Sequence, residues 1–132
     1  MVKSMKKLIR YSLIFIVVVG LVGFVAFKWI ENNFNQLAKS EVEDVQLSSI
    51  SDGEYNGVYQ SFPIDVEVNV IVLDHKITKI DLIKHVTGQG QSAEEILDDV
   101  VKQNSIDVDV ISGATYSSKV ILQAISNALN RQ

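Results

Sequence analysis

The chain has 132 residues, enough for one small domain with a modest core, and it contains no cysteine. The lack of cysteine excludes disulfides, thiolate iron–sulfur clusters, dithiol redox chemistry and a thioether-linked lipid. Residues 1–30 carry five basic and no acidic side chains, whereas residues 31–132 carry seven basic and sixteen acidic ones. Because a part this acidic would be repelled by a nucleic-acid backbone, we expect no nucleic-acid partner.

The N-terminal segment, residues 1–10, is basic and precedes an apolar run at residues 11–30. As a helix this run would be about 30 Å long, the thickness of the hydrocarbon core of a bilayer. A cleaved signal peptide begins similarly, but the small residues that precede a cleavage site are missing, which favours an uncleaved transmembrane helix. Because the basic flank stays inside, the rest of the chain is predicted on the outer face of the membrane. The flanking cations are Lys3, Lys6, Lys7 and Arg10.

Residues 31–51 are polar and form a predicted stalk between the membrane helix and a domain at residues 52–132. Apolar residues recur in the stalk at roughly helical spacing, which predicts a helix that packs either on the domain or on a partner. They are Phe34, Leu37, Ala38, Val42 and Val45.

The domain at residues 52–132 begins with strand patterns. A short strand is predicted from Tyr55 to Tyr59, and apolar residues alternate from Ile64 to Val72, the period of a half-buried strand. A tight turn at Asp74-His75-Lys76 and apolar residues from Ile77 to Ile83 predict an antiparallel hairpin.

Two helices and a third strand pattern follow. Ser92-x-x-Glu95 is a capping box ahead of an apolar stripe, and Val108 to Ile111 has the pattern of a strand. The last helix buries one face and is expected to expose its polar residues. The order predicts a small α+β domain with an antiparallel sheet and two helices. The residues expected to face solvent on the last helix are Lys119, Gln123, Ser126, Asn127 and Asn130.

The segment Asp109-Val110-Ile111-Ser112-Gly113-Ala114-Thr115 reads as a strand that turns sharply into a helix. A helix N-terminus offers unpaired backbone N–H groups that hold a phosphate without a basic side chain. Gly113 and Ala114 keep the approach open, and Ser112 and Thr115 can cap the helix or contact the phosphate. The alternative is a capped strand-to-helix turn that binds nothing.

This motif resembles the Asp-x-x-Ser/Thr-Gly-Ala-Thr/Ser pattern of the FMN-binding domain that occurs in the sodium-translocating NADH:quinone reductase and in the Rnf electron-transport complex. The segment Asp52-Gly53-Glu54-Tyr55-Asn56-Gly57 is similar to the opening of that domain. His85-Val86-Thr87-Gly88-Gln89-Gly90 is similar to its Thr-Pro-Gly-x-Gly loop near the flavin, but it lacks the proline. A second departure is His75, which stands in the hairpin turn where the family usually has glycine.

The resemblance implies that a flavin transferase joins FMN, taken from FAD, to the hydroxyl of Thr115 by a phosphoester bond. It implies that Asp109 helps to shape the site where the transferase acts, although an aspartate here can also hydrogen-bond the turn backbone. Asp107-x-Asp109 is too sparse a pattern for a divalent cation, and no metal site is predicted. The predicted cofactor-binding residues are Thr115, Ser112, Gly113, Ala114, Asp109, Thr87, Gly88, Gly90 and His85.

Two functions are compatible with these features. The first is a membrane-anchored, extracytoplasmic electron carrier or redox subunit, rather than a free-standing enzyme, that receives electrons from a membrane donor such as a quinone-linked dehydrogenase or an Rnf-like complex. The alternative is a non-redox binding module that is anchored in the same way and receives no flavin. Candidates for contact with the flavin ring are Tyr55, Tyr59 and Tyr116. For His85, which is read as part of a polar loop, contact with the flavin and simple exposure to solvent are both open.

Overall fold

A computed structural model describes residues 2–130, with side chains from Ser4 onward. Met1 and residues 131–132, which belong to the predicted N-terminal segment and to the end of the predicted domain, lie outside the described residues, as does the side chain of Lys3. The chain divides into two compact units, residues 1–32 and residues 33–132.

Unit one is formed by most of helix α1, which spans Val2–Lys39 without interruption. Its stretch from Ser4 to Lys39 is long and apolar enough to cross a membrane, a test that a signal sequence at an N-terminus also meets. The apolar side chains in residues 8–27 are exposed.

The second unit is built on a three-stranded antiparallel sheet in the order β1-β2-β3. Strand β1 spans Gly53–Ser61, β2 spans Ile64–Leu73 and β3 spans Lys76–Val86. The alternation in β2 places its five even-numbered apolar residues, Ile64 to Val72, on one buried face. The opposite face of β2 carries Asp65, Glu67 and Asn69 and is partly exposed.

Two helices complete the domain: α2, Ile96–Gln103, packs near β3, and α3, Thr115–Asn130, packs against β1 and β2. Helix α3 lies close against β1 at Gly57, where a Cβ atom would lie 2.0 Å from the carbonyl oxygen of Ala124. The core lies between the buried face of the sheet and the two helices, and it includes Val68, Ile96 and Ile121. The predicted α+β fold with an antiparallel sheet and two helices is confirmed.

The stalk residues pack on the domain itself. Leu37 and Ile50 are buried in the core, and Phe34, Val42 and Val45 pack against it. Between the end of α1 and a short 3₁₀ turn at Leu47–Ser49 the chain has no regular secondary structure. Of the two arrangements left open by the sequence, the structure therefore has the one in which the stripe covers its own domain.

Side chains of α3 hold this extended segment. Lys119 Nζ donates to the carbonyl oxygens of Ala38 and Ser40, Gln123 Nε2 donates to that of Glu41 at 3.0 Å, and Ser126 Oγ donates to that of Glu43 at 2.9 Å. We call residues 38–43 with these bonds the strap. The expectation that Lys119, Gln123 and Ser126 simply face solvent is wrong, because a polar helix face can equally supply donors to an adjacent backbone.

Two local predictions are also wrong. The predicted strand from Val108 to Ile111 is not formed, because Ser118 Oγ, rather than a neighbouring strand, accepts the N–H of Ile111 at 3.1 Å. The predicted capping box is not formed either: residues Gln91–Glu95 make a 3₁₀ turn, and α2 begins at Ile96 without a side-chain cap. The hairpin turn is confirmed, with positive φ at Asp74 (51°) and His75 (60°).

Candidate functional site

The turn before α3 presents an open helix N-terminus. Ser112 and Gly113 form the turn, and Gly113 has φ of 81°, a conformation that glycine adopts without strain. Ala114 N–H donates to the carbonyl oxygen of Ile111 at 3.0 Å, and the N–H of Ser118 donates to that of Ala114 at 2.9 Å. The N–H groups of Thr115, Tyr116 and Ser117 therefore have no partner within the helix and point toward its N-terminal end.

The loop at residues 87–90 lies directly against this helix start. Gly90 N–H donates to Thr87 Oγ1 at 2.9 Å, and Thr87 Oγ1 lies 3.1 Å from Ser117 Oγ. The fit is close enough that a Cβ atom at Gly90 would lie 2.0 Å from Ser117 Oγ. Two motifs that are about 25 residues apart in the sequence thus meet at one point.

An open cleft of about 250 Å³ lies where the two motifs meet. Its polar lining comes from Thr87, Gln89, Thr115 and Ser117, and none of the described residues that line it is charged. The lining residues are Phe34, Pro63, Ile64, Thr87, Gly88, Gln89, Gly90, Gly113, Ala114, Thr115, Tyr116 and Ser117.

The cleft fits the phosphate end of a flavin nucleotide. Apart from the glycine itself and its neighbours in the chain, no described atom lies within 4 Å of where a Cβ would stand on Gly88 or Gly113, so both backbones are open to a ligand. Thr115 is the first residue of α3, is partly exposed and lines the cleft. Its hydroxyl therefore lies beside the free N–H groups and the positive end of the helix dipole, which favour an anion.

Of the nine predicted site residues, the structure brings six to the cleft: Thr115, Gly113, Ala114, Thr87, Gly88 and Gly90. Ser112 and Asp109 are exposed on the same connection but are not among the lining residues. Asp109 lies outside the cleft, at a position that a second protein can reach.

His85 is the ninth predicted residue, and it does not line the cleft. It lies in β3 rather than in a loop, and its side chain is only 3% exposed, so the interpretation as an exposed loop histidine is wrong. His85 Nδ1 lies 2.8 Å from Glu94 Oε1, which ties β3 to the 3₁₀ turn that follows residues 87–90. The ring nitrogen Nε2 is buried and has no hydrogen-bond partner among residues 2–130.

Sequence reasoning missed five lining residues: Gln89 and Ser117, which lie beside predicted ones, and Phe34, Pro63 and Ile64, which come from other parts of the chain. Phe34 comes from α1 and lies against Tyr116, with ring centroids 4.5 Å apart and an angle of 30° between the ring planes. Of the three tyrosines proposed to contact the ring, Tyr116 lines the cleft, whereas Tyr55 donates to the carbonyl oxygen of Ser51 and Tyr59 borders a different depression. The helical spacing of Phe34 indicated packing but not which surface it packs against.

An ion pair lies on the opposite face of the sheet from the core. Asp65, which follows the cleft residue Ile64, is bonded by Lys84 Nζ. This hydrogen bond holds the pKa of the Asp65 carboxyl below its ordinary value of 3.8. The negative charge of Asp65 is therefore paired rather than free to repel an anion nearby.

Comparison with known proteins agrees with the geometry. Residues 59–130 match the sequence model of the FMN-binding domain. The chain belongs to this family. The matched part of the FMN-binding domain includes β2, β3, α2, the 87–90 loop and all of α3.

A curated relative is the NADH:acrylate oxidoreductase of Vibrio harveyi, which is 32% identical to this chain over 93 residues. The similarity covers 68% of this chain but only 9% of that enzyme, so the chain is similar to a small part of a much longer protein.

Proposed function

We propose that the protein is a membrane-anchored, extracytoplasmic electron-transfer protein that carries FMN covalently on Thr115. The observation that carries the proposal is the position of Thr115: it is the first residue of α3, opens into an uncharged cleft and lies in the segment that matches the FMN-binding domain.

The attachment is a phosphoryl transfer with FAD as the donor. The Thr115 hydroxyl oxygen attacks the FMN-side phosphorus of FAD, a new P–O bond forms, and the anhydride P–O bond breaks to release AMP. A flavin transferase takes the hydroxyl proton, because the described lining of the cleft offers no carboxylate or imidazole to accept it. No electron is gained or lost in the step.

The charges of the cleft favour a covalent bond over reversible binding. A helix N-terminus stabilises an anion by about 0.3–1 kcal/mol, and by about 2 kcal/mol at most. Even a millimolar dissociation constant requires about 4 kcal/mol. With no lysine or arginine among the described lining residues, the phosphate end is held too weakly to retain FMN by itself. A phosphoester bond keeps FMN on a domain outside the cytoplasm, where lost FMN would not be replaced from the cytosol.

The bound flavin would supply the electron chemistry, and the chain supplies its position. The similarity to part of an NADH:acrylate oxidoreductase supports a redox role rather than simple ligand binding. The donor that we propose is a membrane component, such as a quinone-linked dehydrogenase or an Rnf-like complex, because α1 is long and apolar enough to keep the domain at a bilayer.

Orientation is the second half of the proposal. Lys6, Lys7 and Arg10 precede the apolar run and favour a cytoplasmic N-terminus, which leaves residues 31–132 outside. Protease added to intact cells without a wall should digest residues 31–132 and leave a small membrane fragment. Full protection until the membrane is broken would place the domain in the cytoplasm and contradict the extracytoplasmic location.

The attachment is tested with the full chain expressed together with a flavin transferase and exported. The wild-type chain should gain the mass of one FMN less water and keep flavin fluorescence in a denaturing gel. Thr115→Ala should lose both, while Thr115→Ser should keep both because a hydroxyl is retained. Thr78→Ala is a matched control, since Thr78 lies in β3 and donates to the carbonyl oxygen of Ile71.

Covalent flavin in Thr115→Ala would reject Thr115 as the acceptor. A wild-type chain that never gains flavin under these conditions would favour the alternative, an anchored binding module without redox function.

Asp109 provides a separate test of recognition by the transferase. Because Asp109 is exposed and outside the cleft, Asp109→Ala should lower the rate of flavin loading without lowering the melting temperature. Asp107→Ala is the control, as it removes an exposed carboxylate two residues away. Equal loading rates in the two variants would remove Asp109 from the attachment reaction.

A further inference from the structure

We propose that Phe34 and Tyr116 form the surface on which the isoalloxazine ring of the attached flavin rests. The inference rests on the proposed function, since it takes Thr115 as the attachment point. It assigns a binding role to Phe34, which belongs to α1 and lies outside the family-matched residues 59–130.

The composition of the cleft separates a phosphate end from a ring end. The free N–H groups and the hydroxyl of Thr115 suit the phosphate, as shown above. A flavin ring instead needs a broad apolar surface for its face and polar groups for its edge. Phe34, Pro63 and Ile64 supply apolar surface in the same cleft, and Gln89 and Thr87 supply polar groups.

Among the cleft residues that the structure describes, Phe34 and Tyr116 are the aromatic ones. Their rings lie 4.5 Å apart between centroids and are tilted by 30°, so they stack on each other, and a third flat ring can continue the stack on an outer face of the pair. Flat aromatic groups pack on each other in offset stacks, which favours this pair as the place for a flat heterocycle.

Phe34 and Tyr116 are both accessible enough to contact a flavin ring. Tyr116 is 38% exposed although it is large and lies next to the attachment residue. Phe34 is half-buried, packs against the core and also lines the cleft. A ligand attached at Thr115 starts beside Tyr116 and meets Phe34 as the next aromatic group.

The proposed contact also places the flavin ring against a residue of α1. Phe34 lies four residues after the apolar run that ends at Ile30. A change in α1 at this position is therefore expected to reach the flavin directly, although α1 is not part of the family-matched segment.

The test measures how firmly the attached ring is held. The full-length chain, loaded through a flavin transferase and kept in detergent, is compared with Phe34→Ala and with Phe34→Leu, which keeps apolar bulk without an aromatic face. Time-resolved anisotropy of flavin fluorescence reports the fraction of rings that move with the protein, and iodide quenching reports their exposure. Fluorescence in a denaturing gel reports the amount of attached flavin.

The amount of attached flavin is measured in each variant, and anisotropy and quenching are compared per attached flavin. In both variants, the ratio of held to freely rotating rings should fall by about fivefold, the size of effect expected when one aromatic contact is lost. Phe27→Ala is the matched control, because Phe27 belongs to the same helix, is exposed and is not among the residues that line the cleft. It should leave anisotropy and quenching unchanged.

The outcomes separate this inference from the function on which it rests. Loaded variants with wild-type anisotropy and quenching would overturn the role of Phe34 and leave covalent attachment intact. A wild-type chain without attached flavin would overturn both. If Phe34→Ala does not accumulate, anisotropy and quenching in Phe34→Leu test the same role, because leucine retains the packing of the side chain against the core.

Discussion

The two loops that border the cleft are held in different ways. Residues 87–90 are packed against α3, and Gly90 is required there because Ser117 and Thr87 leave no room for a Cβ atom. The turn at residues 112–114 is open, and Gly113 is required there because of its φ of 81° rather than by any neighbour. The loop at residues 87–90 therefore holds the start of α3 in place, whereas the turn at residues 112–114 leaves the start of α3 open. We expect substitutions in the first to lower the free energy of unfolding and bulky substitutions in the second to slow flavin loading.

Gly57, which lies away from the cleft, also has no room for a Cβ atom, and there the obstacle is backbone rather than side chain. A Cβ atom there would meet the carbonyl oxygen of Ala124 at 2.0 Å and the backbone nitrogen of Ala128 at 2.7 Å. Because these are backbone atoms of α3, the helix must move, and Gly57→Ala should lower the free energy of unfolding by about 3 kcal/mol or more. Urea denaturation followed by circular dichroism measures the loss. Near-wild-type stability would mean that α3 is not seated on β1 as described.

The second prediction concerns Gly90, where the clash is with side chains. Gly90 has φ of −98°, so alanine fits the backbone and the whole cost is steric. Gly90→Ala should lower the free energy of unfolding by about 1–3 kcal/mol and reduce flavin loading, because Ser117 and the start of α3 must shift.

Gly88→Ala is the matched control for Gly90. It lies in the same loop with nothing in the described structure within 4 Å of the added atom, so the free energy of unfolding should change by less than about 0.5 kcal/mol. If the two variants are equally stable, the contact between the loop and α3 does not restrain the site.

The third prediction concerns the open turn. Gly113→Ala meets no described atom but must hold a positive φ, at a cost of about 1–2 kcal/mol in the free energy of unfolding. Gly113→Asn should cost less, since asparagine tolerates positive φ better than other residues. Gly113→Val should in addition slow flavin loading by crowding the approach to Thr115. Normal loading of Gly113→Val would show that access does not pass over this turn.

The smallest effect is expected on the open face of the sheet. Lys84 lowers the pKa of Asp65, so this pair adds stability at pH values above the unfolded pKa of the carboxyl, and the contribution is lost as the pH falls through the folded pKa. Lys84→Met should raise the pKa of Asp65 toward 3.8. The free energy of unfolding of this variant should then fall less steeply than that of the wild type as the pH drops below about 4. Carboxyl chemical shifts followed through an acid titration measure the pKa. An unchanged pKa would remove Lys84 as its cause.

The sequence predicted the hairpin and α3 because their patterns depend on local spacing. The alternation from Ile64 to Val72 and the turn at Asp74 and His75 need no knowledge of distant residues, and both are present. Residues 107–111 show the limit of that reasoning. Their apolar alternation is the same whether the partner is a strand or, as here, the hydroxyl of Ser118.

The side of the cleft at the start of α3 was predictable from the sequence and its apolar wall was not, for the same physical reason. Gly113, Ala114 and Thr115 act through backbone geometry that a short motif specifies by itself. Phe34 reaches the cleft only because α1 continues to Lys39 and its last turns pack on the domain. No spacing within the sequence relates residue 34 to residue 116, so their contact becomes visible only in three dimensions.

The strap determines where the chain can be shortened. A fragment that begins at Asp52 would keep every residue of the family-matched segment, but it would leave Lys119, Gln123 and Ser126 without their carbonyl acceptors and would remove Leu37 and Ile50 from the core. A fragment that begins at Asn33 keeps all of these contacts and omits most of the apolar helix. The start of a stable soluble fragment is therefore fixed by hydrogen bonds from the last helix rather than by the boundary of the family-matched segment.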